Sequence, residues 1–300
     1  MTVKRTAEKV VKANGIYLCY QEFGEVSDPA LVLIMGMGAQ MVGWDDEFCE
    51  ALALRGFRVI RFDNRDAGKS TRFDRAGVPD VMTALTKAWL RKPVAAPYHL
   101  GDMANDVAGL LDALQIEKAH LVGASMGGTI AQTLAIEQPA RLLSLTSVMS
   151  TTGDPDLPPP QYWALSALFK PAPRDLESYI DYYVKTWKLL RGSPFPEEEA
   201  RDRARAVLNH SRGLNPEGGA RQLMAILASG SRAAALRQVQ TPTLVVHGAA
   251  DPLVPLTSGV ATAKCIPGAE LLVLEGMGHA LPMRLWPRII DGIVRVAGRS

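Results

Sequence analysis

Five consecutive apolar residues, Leu31-Val32-Leu33-Ile34-Met35, run into Gly36. An unbroken apolar run closed by a turn residue predicts a strand covered on both faces. The same pattern recurs at Arg58–Phe62, at Ala119–Val122, at Leu142–Met149, at Thr243–His247 and at Leu271–Leu274. Ahead of these, Glu8–Lys12 and Ile16–Glu22 flank Asn14-Gly15, a dipeptide suited to a two-residue hairpin turn. Between the runs the apolar period lengthens. Met103, Val107, Leu110, Leu111 and Leu114 fall on one face of a helix over Asp102–Leu114. Helices are also expected near Asp46–Arg55, Thr129–Ala135, Leu256–Cys265 and Pro282–Val296, whereas Asn64 to Pro97, rich in proline, glycine and charge, reads as a loop.

Strands alternating with helices predict an α/β fold, a mostly parallel eight-stranded sheet with helices on both faces. Residues 151–237 break the alternation. They open with Gly153-Asp154-Pro155-Asp156-Leu157-Pro158-Pro159-Pro160 and then show helical patterns only. The expectation is a core of residues 1–150 and 238–300 with a helical cap, 151–237, inserted between two strands. Within the cap, Glu197-Glu198-Glu199 with Arg201, Arg203 and Arg205 reads as a solvated helix laced by i,i+4 pairs. Tyr162, Trp163, Phe169, Tyr179, Tyr182, Tyr183 and Trp187 crowd its first half. Most should pack the cap itself; any that roof a pocket would favour an apolar or bulky substrate.

Composition narrows the class. The 300 residues carry a net charge of +2 with 47% hydrophobic content, ordinary for a folded protein with a sizeable core. Such a balance gives no reason to expect nucleic acid or an anionic membrane as partner. Cys19, Cys49 and Cys265 are scattered, with no metal-binding pair among them, which fits a reducing compartment. No signal-peptide pattern opens the chain and no apolar run is long enough to span a bilayer, so a cytoplasmic protein is expected.

The chemistry concentrates at Gly123-Ala124-Ser125-Met126-Gly127, a G-x-S-x-G pentapeptide with a strand run before it and a helical stretch after it. In that context the pentapeptide marks a nucleophile elbow. Serine needs a base to be nucleophilic, and the base needs an acid to fix its tautomer. On an open parallel sheet both should follow late strands, in the order Ser, Asp, His. Asp251 stands in the loop after Thr243–His247 and His279 in the loop after Leu271–Leu274. The oxyanion donors should be the Met126 N–H and the N–H of Met37, which lies between Gly36 and Gly38 after the first buried strand. Asp66-Ala67-Gly68-Lys69-Ser70 lacks the leading glycine of a phosphate loop, having Asp63 in its place, and Gly36-x-Gly38 lacks the third glycine of a dinucleotide fingerprint. His120 and His247 should be packed within strands; His99 and His210 remain open as substrate contacts.

These segments resemble the α/β-hydrolase fold family over nearly the whole chain. The likeness rests on Leu33–Gly38, Phe62–Ser70, the Ser125 elbow, His247–Pro252 and Gly276–His279. Within the family the chain is similar to bacterial carboxylesterases of the aclacinomycin methylesterase group, through Asp63-Asn64-Arg65-Asp66 and the stretch from Leu214 to Gly230. The resemblance implies Ser125 as nucleophile, Asp251 as acid, His279 as base, and Met37 and Met126 as oxyanion donors. It implies a serine esterase acting on a small-molecule ester with no metal or organic cofactor. Met35 departs from the histidine that many relatives carry, which bears on substrate scope. Perhydrolysis, lactone opening and C–C bond hydrolysis use the same triad and stay as alternatives, with a non-catalytic receptor as a remote one.

Overall fold

The computed structural model describes residues 3–192, 195 and 198–299, without the side chain of Phe169. Eight strands form one sheet: β1 (Lys9–Ala13), β2 (Ile16–Phe23), β3 (Ala30–Ile34), β4 (Arg58–Phe62), β5 (Ala119–Ala124), β6 (Leu142–Val148), β7 (Thr243–Gly248) and β8 (Glu270–Leu274). Their spatial order is β1-β2-β4-β3-β5-β6-β7-β8. β1 and β2 form the Asn14-Gly15 hairpin, whose two turn residues have φ of 48° and 78°, and β2 runs antiparallel to β4. Every other pairing is parallel.

The apolar runs are explained by what covers them. Along β3, Val32 and Ile34 point into one core with Leu121 of β5, while Leu31 and Leu33 point into the other with Val122. Pleating sends neighbours to opposite faces, so a strand between two cores must be apolar at every position. The first core is closed by α3 (Leu100–Ala113), α4 (Met126–Glu137) and α10 (Leu256–Cys265), the second by α1 (Asp46–Ala53) and α11 (Trp286–Ala297).

Two sequence expectations need correction. The stretch read as a loop, Asn64 to Pro97, contains α2 (Val81–Trp89). Only Ala84 of this helix is fully buried, and its apolar stripe of Val81, Ala84, Leu85 and Ala88 is short and half-buried. Its signal is the cap: Asp80 accepts from the Thr83 N–H at 3.0 Å. The second correction lies between β6 and β7, where the described residues form α5 (Tyr162–Phe169), α6 (Leu176–Leu190), α7 (Glu198–Arg212), α8 (Pro216–Ser229) and α9 (Ala233–Leu236). α7 is solvated on one face only: Glu199 and Arg203 are exposed, but Glu198, Asp202, Asn209 and Arg212 are buried, and Arg205 reaches across to Asp45. Glu197 lies outside the described residues. No helix among the described residues is long and apolar enough to cross a membrane.

Candidate active site

β5 ends at Ala124, and the next residue turns the chain abruptly into α4. Ser125 has φ 55° and ψ −120°, a conformation that side-chain-bearing residues adopt only under constraint. The constraint is visible. A Cβ on Gly123 would lie 2.1 Å from the Gly127 carbonyl oxygen, and one on Gly127 would lie 2.1 Å from that of Ile34. The pentapeptide glycines are therefore required by backbone contact with the neighbouring strand and helix. The turn is pinned by the Ser125 N–H donating to the Val148 carbonyl at 2.9 Å and by the Ser150 hydroxyl donating to the Ser125 carbonyl at 2.8 Å.

Asp251 and His279 arrive from the loops after β7 and β8. These loops interlock: the Ala250 N–H donates to the Met277 carbonyl at 2.9 Å, and a Cβ on Gly248 would meet that oxygen at 2.2 Å. Asp251 Oδ1 accepts from the N–H groups of Leu253 and Val254 at 2.9 and 2.8 Å. Its Oδ2 stands 2.8 Å from His279 Nδ1, and His279 Nε2 stands 3.0 Å from Ser125 Oγ. A carboxylate can only accept, so Nδ1 carries the proton and Nε2 is left to accept from the serine hydroxyl. His279 is only 5% exposed, which keeps this relay out of bulk water.

Met37 follows β3, and Met126 is the first residue of α4. Gly36 sits so close to Ser125 that a Cβ there would be 3.2 Å from Ser125 Cβ. The loop is held by Asn64 Nδ2 donating to the Met35 carbonyl at 2.9 Å and by the Gly38 N–H donating to Gln222 Oε1 of α8 at 2.7 Å. Neither the Met37 nor the Met126 N–H is taken up by another hydrogen bond among the described residues.

Ser125 and His279 border a cavity of about 890 Å³. Its far wall comes from the inserted helices, with Tyr179, Tyr182, Tyr183 and Trp187 of α6 facing in. Tyr162 and Trp163, read as part of the same aromatic group, are instead exposed. Burial pushes the Tyr179 hydroxyl up to about 12, so it stays neutral. One end of the cavity is charged, lined by Asp45, Glu198, Asp202 and Arg205. Sequence reasoning missed this end. The available signal was a polar stripe at helical spacing, Glu198, Asp202, Arg205, Asn209 and Arg212, but a polar stripe ordinarily means solvent.

The remaining histidines separate cleanly. His120 is buried against Ser144 at 2.9 Å, and burial holds its ring down to about 4. His247 is fully buried, with Nε2 2.8 Å from the Val254 carbonyl, and burial lowers it too. His99 caps α3 and His210 contacts the Arg174 carbonyl at 2.8 Å; neither lines the cavity. Among the described residues no group of three or more His, Cys, Asp or Glu could hold a metal ion.

Two segments that the sequence set apart are in contact. Asn215 Nδ2 donates to the Asp66 carbonyl at 3.0 Å, and Arg221 grips the Asp66 carboxylate at 2.7 and 2.9 Å. Both partners are buried. Burial pushes the Asp66 carboxyl up, but hydrogen bonds from Arg221, the Phe73 N–H and Tyr98 bring it below its usual range.

Residues 29–283 match the alpha/beta hydrolase fold family. The chain is 32% identical over 297 residues to the rhodomycin D methylesterase of Streptomyces sp. (strain C5), covering 92% of this chain and 93% of that protein. It is 33% identical to the rhodomycin D methylesterase of Streptomyces peucetius at the same coverage. The solved structure of a meta-cleavage product hydrolase from Pseudomonas fluorescens IP01 superposes with a TM-score of 0.73 over 97% of each chain at 21% identity, a likeness of fold.

Proposed function

The chain belongs to the α/β hydrolase fold family, and from that premise we propose that it is a carboxylic ester hydrolase working through an acyl-enzyme on Ser125. Methylesterases related over most of its length support the reaction class. The observation that carries the reading is the unbroken hydrogen-bonded line from Ser125 Oγ through His279 to Asp251, at 3.0 and 2.8 Å, on the wall of a large cavity.

In this reading Ser125 Oγ attacks the ester carbonyl while His279 Nε2 takes its proton. Asp251 holds the tautomer and stabilises the imidazolium that forms. The Met37 and Met126 N–H groups receive the oxyanion, where fixed donors on a water-poor wall act with full effect. His279 then protonates the leaving alcohol, and the same nitrogen activates the water that releases the acid. Every group needed is a side chain or backbone amide, so the chemistry calls for no metal or organic cofactor.

Residues 151–237 serve here as a cap that roofs the site. A cavity of about 890 Å³ faced by α6 aromatics favours a bulky, apolar ester over a short acyl chain. The test is turnover of a chromogenic ester by the wild-type chain and Ser125→Ala, with fluorophosphonate labelling of Ser125 alongside. Equal turnover in both would remove the assignment. Comparing ester hydrolysis with peracid formation, lactone opening and C–C cleavage ranks the other reactions this triad supports.

A further inference from the structure

The segment carrying His279 is gripped on both sides by the inserted helices. Before the ring, the N–H groups of Gly278 and His279 donate to the carbonyls of Arg191 and Leu190, each at 2.6 Å. These carbonyls end α6 and have no helical partner to satisfy them. The approach is backbone on backbone: a Cβ on Gly278 would lie 2.2 Å from the Leu190 oxygen, and one on Gly192 would lie 2.3 Å from that of Gly276.

After the ring, the anchor is one side chain. Glu198, first residue of α7 and 1% exposed, accepts from the Met283 N–H through Oε1 at 2.7 Å. Its Oε2 faces the Arg205 guanidinium at 3.4 Å, and Arg205 also bonds Asp45 of the core at 2.8 Å and Asp202 at 3.0 Å. Arg201 of α7 stacks 5.2 Å over the Trp286 ring, whose indole donates to the Leu281 carbonyl at 2.8 Å. A buried carboxylate is costly, and packing alone would be served as well by an apolar residue. Its use here, with one oxygen on the segment that bears the ring, indicates a task of orientation.

We propose that Glu198 is a positioning residue that holds His279 in line with Ser125, so that seating of α6 and α7 on the core and alignment of the base are one equilibrium. This rests on His279 being the base. Displacing a base by about 1 Å costs about a hundredfold in rate. Glu198→Ala is therefore expected to lower kcat for a small chromogenic ester by about tenfold to a hundredfold, with KM nearly unchanged.

Met283→Pro probes the same bond from its other end. Met283 opens a 3-10 turn behind Pro282, whose φ of −61° and ψ of 138° suit a residue preceding proline, so the change removes the N–H with little strain. The same fall in kcat is expected, the double variant should lose no more than either single one, and the downfield proton resonance of the His279–Asp251 bond should broaden in all three. Wild-type kcat in either single variant, or multiplicative losses in the double, would overturn the proposal. If Glu198→Ala does not fold, Met283→Pro decides alone. A wild-type chain that neither hydrolyses esters nor takes a fluorophosphonate label is a different result, removing the catalytic reading itself.

Discussion

At the Ser125 turn the chain is held by backbone touching backbone; along much of the seam between the inserted helices and the core it is held by charged side chains. Around Ser125 the contacts are Gly123 against Gly127 and Gly127 against Ile34, with a strained residue between them. Between the inserted helices and the core, Arg205 meets Asp45, Arg212 meets Asp63 and Arg221 meets Asp66, pairs 149 to 160 residues apart in the chain. A steric lock has one solution and no soft displacement, which suits the nucleophile proposed at Ser125. Ion pairs hold a wall firmly only while every partner is present, because removing one leaves the other buried and uncompensated. The roof is therefore the part whose loss of a single group should loosen the site.

The largest expected effect is at the lock's centre. Ser125→Ala should cut ester turnover by about 10⁴-fold or more while leaving the thermal midpoint within a few degrees, measured by initial rates and calorimetry. Gly127→Ala attacks the lock itself. With a carbonyl 2.1 Å from the new Cβ, stability should fall by about 4 kcal/mol in a urea titration, taking activity with it.

Arg221→Ala tests the roof and should cost about 3 kcal/mol by leaving the Asp66 carboxylate unpaired. Its kinetic mark should be a raised KM more than a lowered kcat, the reverse of the Glu198 and Met283 variants. Asp66 also sets a pH signature. Its folded-state pKa lies below the ordinary 3.8, so the unfolded chain binds the proton first and the stability it contributes is present above that value and lost as pH falls below it. Arg221→Ala should flatten that acid limb.

A pH effect of similar size belongs to the two buried strand histidines. His120 is held at about 4 against an ordinary 6.5, so between these values the unfolded chain takes up a proton that the folded chain refuses. Stability should thus be full above pH 6.5 and decline toward pH 4, by about 3 kcal/mol for His120, and His120→Gln should remove that share of the slope in denaturant titrations. Smallest is the exposed pair between Arg91 and Asp156 at 2.6 Å: Arg91→Ala should shift stability by less than about 0.5 kcal/mol, which calibrates the buried pairs against a solvated one.

What was legible in the sequence divides along the same line. The strands read correctly because two covered faces force mostly apolar runs, unbroken in β3 and interrupted in β5 only by the buried His120 and by Gly123. Asp251 and His279 stood out because each follows a late strand, and the sheet delivers those loops to one edge. α2 is hard to read because its apolar stripe, Val81, Ala84, Leu85 and Ala88, spans barely two turns inside a stretch rich in proline, glycine and charge. α7 reads as a solvated helix from Glu197-Glu198-Glu199 with Arg201, Arg203 and Arg205, because alternating charges at helical spacing are what a water-facing helix shows. Nothing local tells a carboxylate that meets Arg205 in the interior from one that meets water.

The amino-acid sequence by itself determined the layered sheet, the strained turn at Ser125 and the chain order of serine, aspartate and histidine. These follow from constraints between near neighbours: pleat alternation, the room a glycine leaves, and the loop that must follow each strand. Only the tertiary structure decided that the ring of His279 stands 3.0 Å from Ser125, that α6 aromatics close a cavity over it, and that Glu198 and Arg221 turn inward. Those outcomes depend on how distant elements pack, and a charge finds its partner across that packing by desolvation and Coulomb energy, terms that take their values only once the helices have docked.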